Sequence, residues 1–81
     1  MRAQRWAILT PMRRRPVESS SIASVGYDVA TRTLEVEFVH GAVYRYLELP
    51  ADVHVAFWAA DSKGRFLNEA IRDSYACIKL P

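Results

Sequence analysis

Tyr44-Arg45-Tyr46 places two phenols one residue apart around a guanidinium. Rings so spaced on a strand offer a stacking platform for nucleic-acid bases, or else two core side chains on its inner face. A second candidate is "DSKGR", Asp61 to Arg65. At a helix start, free backbone N–H groups, Gly64 allowing close approach, the Ser62 hydroxyl, and Lys63 and Arg65 could together hold a phosphate. The plainer reading is a capped helix with two solvated cations. The third is the N-terminal arm, where Arg2, Arg5, Arg13, Arg14 and Arg15 occur without an acid, alongside Trp6. Five guanidiniums could neutralise several phosphates, and the indole could stack on a base.

Catalytic and metal chemistry find little support. Cys77 lies in the apolar closing stretch "YACIKL", where a free thiol behaves as a small hydrophobe. His40 belongs to a turn and His54 to a helix exterior, and neither is in register with a nucleophile. One cysteine and two isolated histidines match no zinc spacing. The reading is a non-enzyme with no cofactor and no metal.

The elements that must position these residues follow from hydropathy. "TLEVEFV" alternates, with Leu34, Val36 and Phe38 on one face and Glu35 and Glu37 on the other. A three-residue loop, Val39-His40-Gly41, pairs Val36 with Tyr44, Leu34 with Tyr46 and Glu35 with Arg45. A two-residue loop, His40-Gly41, sets Arg45 opposite Val36 among apolar residues, burying a charge and exposing both phenols. The first register is favoured, with the tyrosines mainly in the core and their hydroxyls at its rim. Ile22, Val25 and Tyr27 suit an earlier strand. A helix starts at Pro50, with Val53, Ala56, Phe57 and Ala60 as its stripe. A second follows Asp61 or Ser62, burying Phe66, Leu67, Ala70 and Ile71, with Arg72 near its end. The expected fold class is α+β: a three-stranded antiparallel β-meander with two short helices packed on one face and a short C-terminal edge strand.

Length and charge set the frame. Eighty-one residues hold one domain, read as a flexible basic arm over residues 1–16 and a folded unit over 17–81. The net charge of +2 hides an asymmetry. Five of the eleven basic residues lie in the arm, leaving six against nine acids in the body. Attraction to phosphate must therefore come from the arm or from local clusters. An acid-free, arginine-rich start is also a feature of organellar transit peptides, and a start site placed too far upstream is a further reading. No apolar run approaches the ~20 residues that cross a bilayer, and the lone cysteine fits a reducing, cytoplasmic setting.

The segments "SSSIASVGYD", "TLEVEF", "VYRYLELP" and "SKGRFLNEAI", followed by Tyr75, together resemble the KTSC domain family. The resemblance spans about residues 17–80 and leaves the arm outside. That family takes its name from a segment at the C-terminus of some lysyl-tRNA synthetases and also occurs as small stand-alone bacterial proteins. The resemblance points toward nucleic acid, RNA having been suggested for the family, and identifies neither a reaction nor a ligand.

The resulting expectation is a monomeric, cytoplasmic RNA-binding accessory domain that prefers RNA to duplex DNA and has no membrane partner. The arm and the Lys63/Arg65 helix start would meet phosphate, and the tyrosine rim and Trp6 would meet bases. The alternative is a protein-interaction module using Val43, Leu47, Leu49 and Trp58 as an exposed apolar patch.

Overall fold

A computed structural model describes residues 12–81. Strands β1 (Arg15–Pro16), β2 (Ile22–Asp28), β3 (Thr33–Phe38), β4 (Val43–Tyr46) and β5 (Cys77–Lys79) form one sheet in chain order, each antiparallel to the next. Between β4 and β5 lie helix α1 (Ala51–Ala59) and helix α2 (Lys63–Phe66), the latter running on into a π-helical turn over Leu67–Ile71. The architecture is α+β. The expected meander, β2 to β4, and the expected C-terminal edge strand, β5, are both present, and β1 adds a fifth strand on the other side.

The turn between β3 and β4 decides the fate of the phenols. Phe38 N–H donates to the Ala42 carbonyl at 2.9 Å, and Gly41 N–H donates to the Phe38 carbonyl at 2.9 Å. Gly41 has φ +103, a conformation that disfavours any Cβ, so glycine sets this loop. The resulting register pairs Leu34 with Tyr46, Glu35 with Arg45 and Val36 with Tyr44. One face of the sheet thus carries Val25, Leu34, Val36 and Tyr46 into a core shared with Leu49, Phe57, Leu67 and Ile71. The π-helical turn closes through Arg72 N–H to the Leu67 carbonyl at 2.8 Å and places Leu67 and Ile71 in that core.

The opposite face is not a simple solvated surface. Glu35 and Arg45 sit there with only 3% and 2% exposure. Arg45 Nε donates to Glu35 Oε1 at 2.6 Å, and Arg14 Nη1 donates to Glu35 Oε2 at 2.5 Å. Among the described residues no buried side-chain polar atom lacks a partner. The carboxylate between two guanidiniums ties the segment before β1 to the centre of the sheet. Gly26 makes that approach possible: a Cβ there would collide with the Arg13 carbonyl. Arg15, on the helix side, lies 4.2 Å over the Trp58 ring.

These contacts change the reading of the arm. Residues 15 and 16 form a strand, and Arg14 and Arg15 are engaged with the fold, whereas Arg13 is exposed. Arg2, Arg5 and Trp6 lie outside the described residues. Truncation after residue 15 therefore removes part of the sheet together with charge.

Candidate functional site

An open groove of about 870 Å³ runs between the helix-bearing face of the sheet and the α2 segment. Tyr46 and Leu67, both 4% exposed, lie at its base. The sheet side supplies three rings. Phe38 and His40 stack with centroids 5.6 Å apart and planes 5° apart, and Phe38 meets Tyr44 edge-on at 5.8 Å. The helical side supplies Arg65, Asn68, Glu69, Arg72 and Asp73. Ser21, Gly64 and Cys77 complete the lining.

The polar side arises from helical spacing. Residues 65, 68, 69 and 72 recur at three and four positions and share one face, while Leu67 and Ile71 turn to the core. Arg72 Nη1 donates to Asn68 Oδ1 at 3.0 Å, which fixes the amide with its NH₂ directed away from Arg72. The side chains of Arg65, Glu69 and Asp73 form no ion pair among the described residues. Burial, and then neighbouring Cys77, raise the Tyr46 phenol above its ordinary 10.0, so it remains a neutral core group.

The groove unites some of the expected site residues and separates others. Tyr44, Tyr46, Gly64 and Arg65 all line it. Arg45 does not, because its guanidinium is buried against Glu35 on the other face. Ser62 is the N-cap and accepts from Arg65 N–H at 3.2 Å, so one of the free helix N–H groups is already bound. Lys63 Nζ is turned to the Ala60 carbonyl at 2.9 Å, at the end of α1. Gly64 instead permits close packing against the serine-rich lead into β2, since a Cβ there would stand 2.8 Å from Ser21 Oγ. Ser62 and Lys63 are thus engaged within the fold, as in the plainer reading of "DSKGR".

The apolar patch expected for a protein partner does not assemble. Leu49 is fully buried in the core, and Trp58 packs on the helix side against Phe57 and Arg15. Val43 and Leu47 are half-buried.

His54 departs from its expected exterior position. Its ring stacks on Tyr27 at 4.2 Å and 12°, and its Nε2 accepts from Trp58 Nε1–H at 2.9 Å. Tyr27 in turn donates to the Leu49 carbonyl at 2.6 Å. Burial, then the charge of Arg15, lower the His54 pKa from its ordinary 6.5. The folded state disfavours the proton, so the unfolded chain binds more protons below that value. Stability is complete above about pH 6.5 and falls as pH drops through the lowered folded pKa. Thermal unfolding followed from about pH 7 to pH 5 should show this decline, and His54→Gln, which keeps an acceptor for Trp58, should flatten it. Equal slopes for the two proteins would show that the decline has another source.

The sequence model of the KTSC domain matches residues 18–75. The chain belongs to the KTSC domain family. A crystal structure of a KTSC domain protein from Yersinia pestis is similar with a TM-score of 0.81 and 43% identity, covering 88% of this chain and 100% of that one. An uncharacterised protein of Stutzerimonas stutzeri is 44% identical over 64 residues, which is 79% of this chain and 90% of the relative. A Tsukamurella paurometabola protein is 42% identical over 65 residues, 80% of this chain and 97% of its own length. A lysine–tRNA ligase of Nostoc punctiforme matches over 58 residues at 36% identity, 72% of this chain and 10% of the ligase. The KTSC domain therefore occurs both as a small protein and as a fraction of a larger enzyme. Among the described residues, no helix is long and apolar enough to cross a membrane.

Of the groove residues, Phe38, His40, Asn68, Glu69, Arg72 and Asp73 are not singled out by motif. The signal that could have found the helical ones is the polar stripe opposite Leu67 and Ile71. It becomes meaningful once the helix is known to face the tyrosine strand.

Proposed function

We propose that this KTSC domain is an RNA-binding accessory domain that takes single-stranded RNA into the groove between Tyr44 and the Arg65–Arg72 face. The observation that carries the reading is the pairing of an aromatic side, Phe38, His40 and Tyr44, with a side of hydrogen-bonding groups. Rings bind the faces of bases, and the helical groups reach base edges and the backbone. Bases must be unstacked to enter such a groove, which favours single strands over paired duplex. The presence of the matching segment in lysine–tRNA ligases supports RNA over DNA. The single cysteine and this association with tRNA charging favour a cytoplasmic setting.

The charge balance sets the strength. Arg65 and Arg72 face Glu69 and Asp73 in the same groove, so phosphate attraction is small. Two phosphate contacts give a salt slope of about −1.4 on single strands. Two stacked bases supply at most about 6 kcal/mol, an affinity of roughly tens of micromolar. Tyr44→Ala in the full chain should weaken binding of a labelled single-stranded RNA by about 1–3 kcal/mol, read by fluorescence anisotropy. Unchanged affinity, or a salt slope several times steeper, would place the contacts elsewhere.

A further inference from the structure

Resting on the single-strand reading, we infer that the groove prefers guanine. Its charges are wrong for a phosphate cradle, because Glu69 and Asp73 stand beside Arg65 and Arg72. They are suited to one base edge. Guanine alone among the RNA bases presents two adjacent N–H donors, N1–H and the N2 amino group, beside an acceptor, O6. A carboxylate accepts both donors side by side, and a guanidinium or amide N–H donates to O6 or N7. The groove offers both partners on one helical face. The Glu69 and Asp73 carboxylates form no ion pair among the described residues, and Arg72 holds Asn68 with its NH₂ directed away from the guanidinium.

The opposite side supplies the stacking surface. Tyr44 is half-buried and fixed edge-on against Phe38, so its ring is held in place before any ligand arrives. A base sliding along it presents its Watson–Crick edge to the π-helical turn. Uracil offers one N–H flanked by two carbonyl oxygens, which the carboxylates repel. Adenine and cytosine each offer one amino group beside an unprotonated ring nitrogen, and neither satisfies a carboxylate with two bonds. The preference therefore comes from carboxylate pairing, and stacking serves every base alike.

The test uses single-stranded RNAs of uridine carrying one central guanine, adenine, cytosine or uracil, titrated into the full chain and into Glu69→Gln/Asp73→Asn. Both substitutions keep size and remove the charge on exposed residues, so folding is undisturbed. The guanine strand should bind the native chain at least about tenfold tighter than the others, and the double variant should lose that margin and bind all four strands alike. Equal binding of all strands, or a guanine preference that survives in the variant, overturns the inference and leaves the single-strand reading intact. Absence of binding by any strand overturns both.

Discussion

Glu35→Ala should destabilise the domain by about 3–5 kcal/mol, measured by urea or thermal unfolding. Glu35 is a nearly buried carboxylate gripped by Arg45 at 2.6 Å and by Arg14 at 2.5 Å. Its removal leaves Arg45, 2% exposed, without its carboxylate in a setting where a charge is poorly solvated. It also cuts the tie that holds the segment before β1 to the sheet. Domains of this size have small margins, at the low end of about 5–15 kcal/mol, so the variant should be largely unfolded at mild temperatures. The double variant Glu35→Leu/Arg45→Met removes both charges and should recover most of the loss, since apolar replacement of buried ion pairs is often neutral or better. A loss of less than about 1 kcal/mol for Glu35→Ala would mean that the pair is solvated and ordinary.

Phe57→Ala should cost a similar amount, about 3–5 kcal/mol, for a different reason. Phe57 is fully buried at the junction of the two helices and the sheet. It meets Trp58 edge-on at 5.3 Å and Phe66 at 6.3 Å. Truncation opens a cavity that neighbouring rings fill poorly, and it frees α2 from α1. Because α2 and its π-helical turn carry the polar side of the groove, RNA binding should weaken along with stability. By contrast, Tyr44→Ala should reduce binding with a smaller loss of stability. The two variants together separate the scaffold from the site.

The centre of the fold was readable because its register rests on charge and apolar patterning. A glycine at residue 41 and the demand that Glu35 oppose Arg45 leave one good pairing, and the structure adopts it. The degree of burial of that pair was not readable. Its enclosure depends on Arg14 arriving from 21 residues away, and no local pattern announces such an approach. Strand β1 was missed for the same reason. Arg-Pro has no strand propensity, and it is held by Arg14 on Glu35, Arg15 on Trp58 and the bare backbone of Gly26. His54 was hidden because a helical histidine looks polar, yet its Nε2 and flat face suit the gap between Tyr27 and Trp58. The groove was half legible. The tyrosine strand and Arg65 stand out by motif, while the carboxylates and amide facing them gain meaning only once a π-turn brings them there.

Amide NMR of the full chain during titration with a guanine-containing single-stranded RNA is the most direct examination of the groove. The largest shifts should fall on Tyr44, Arg65, Asn68 and Arg72, with small changes at Arg14, Glu35 and Arg45 on the opposite face. Shifts confined to residues 12–15 and the Glu35 face, with the groove silent, would contradict the assignment.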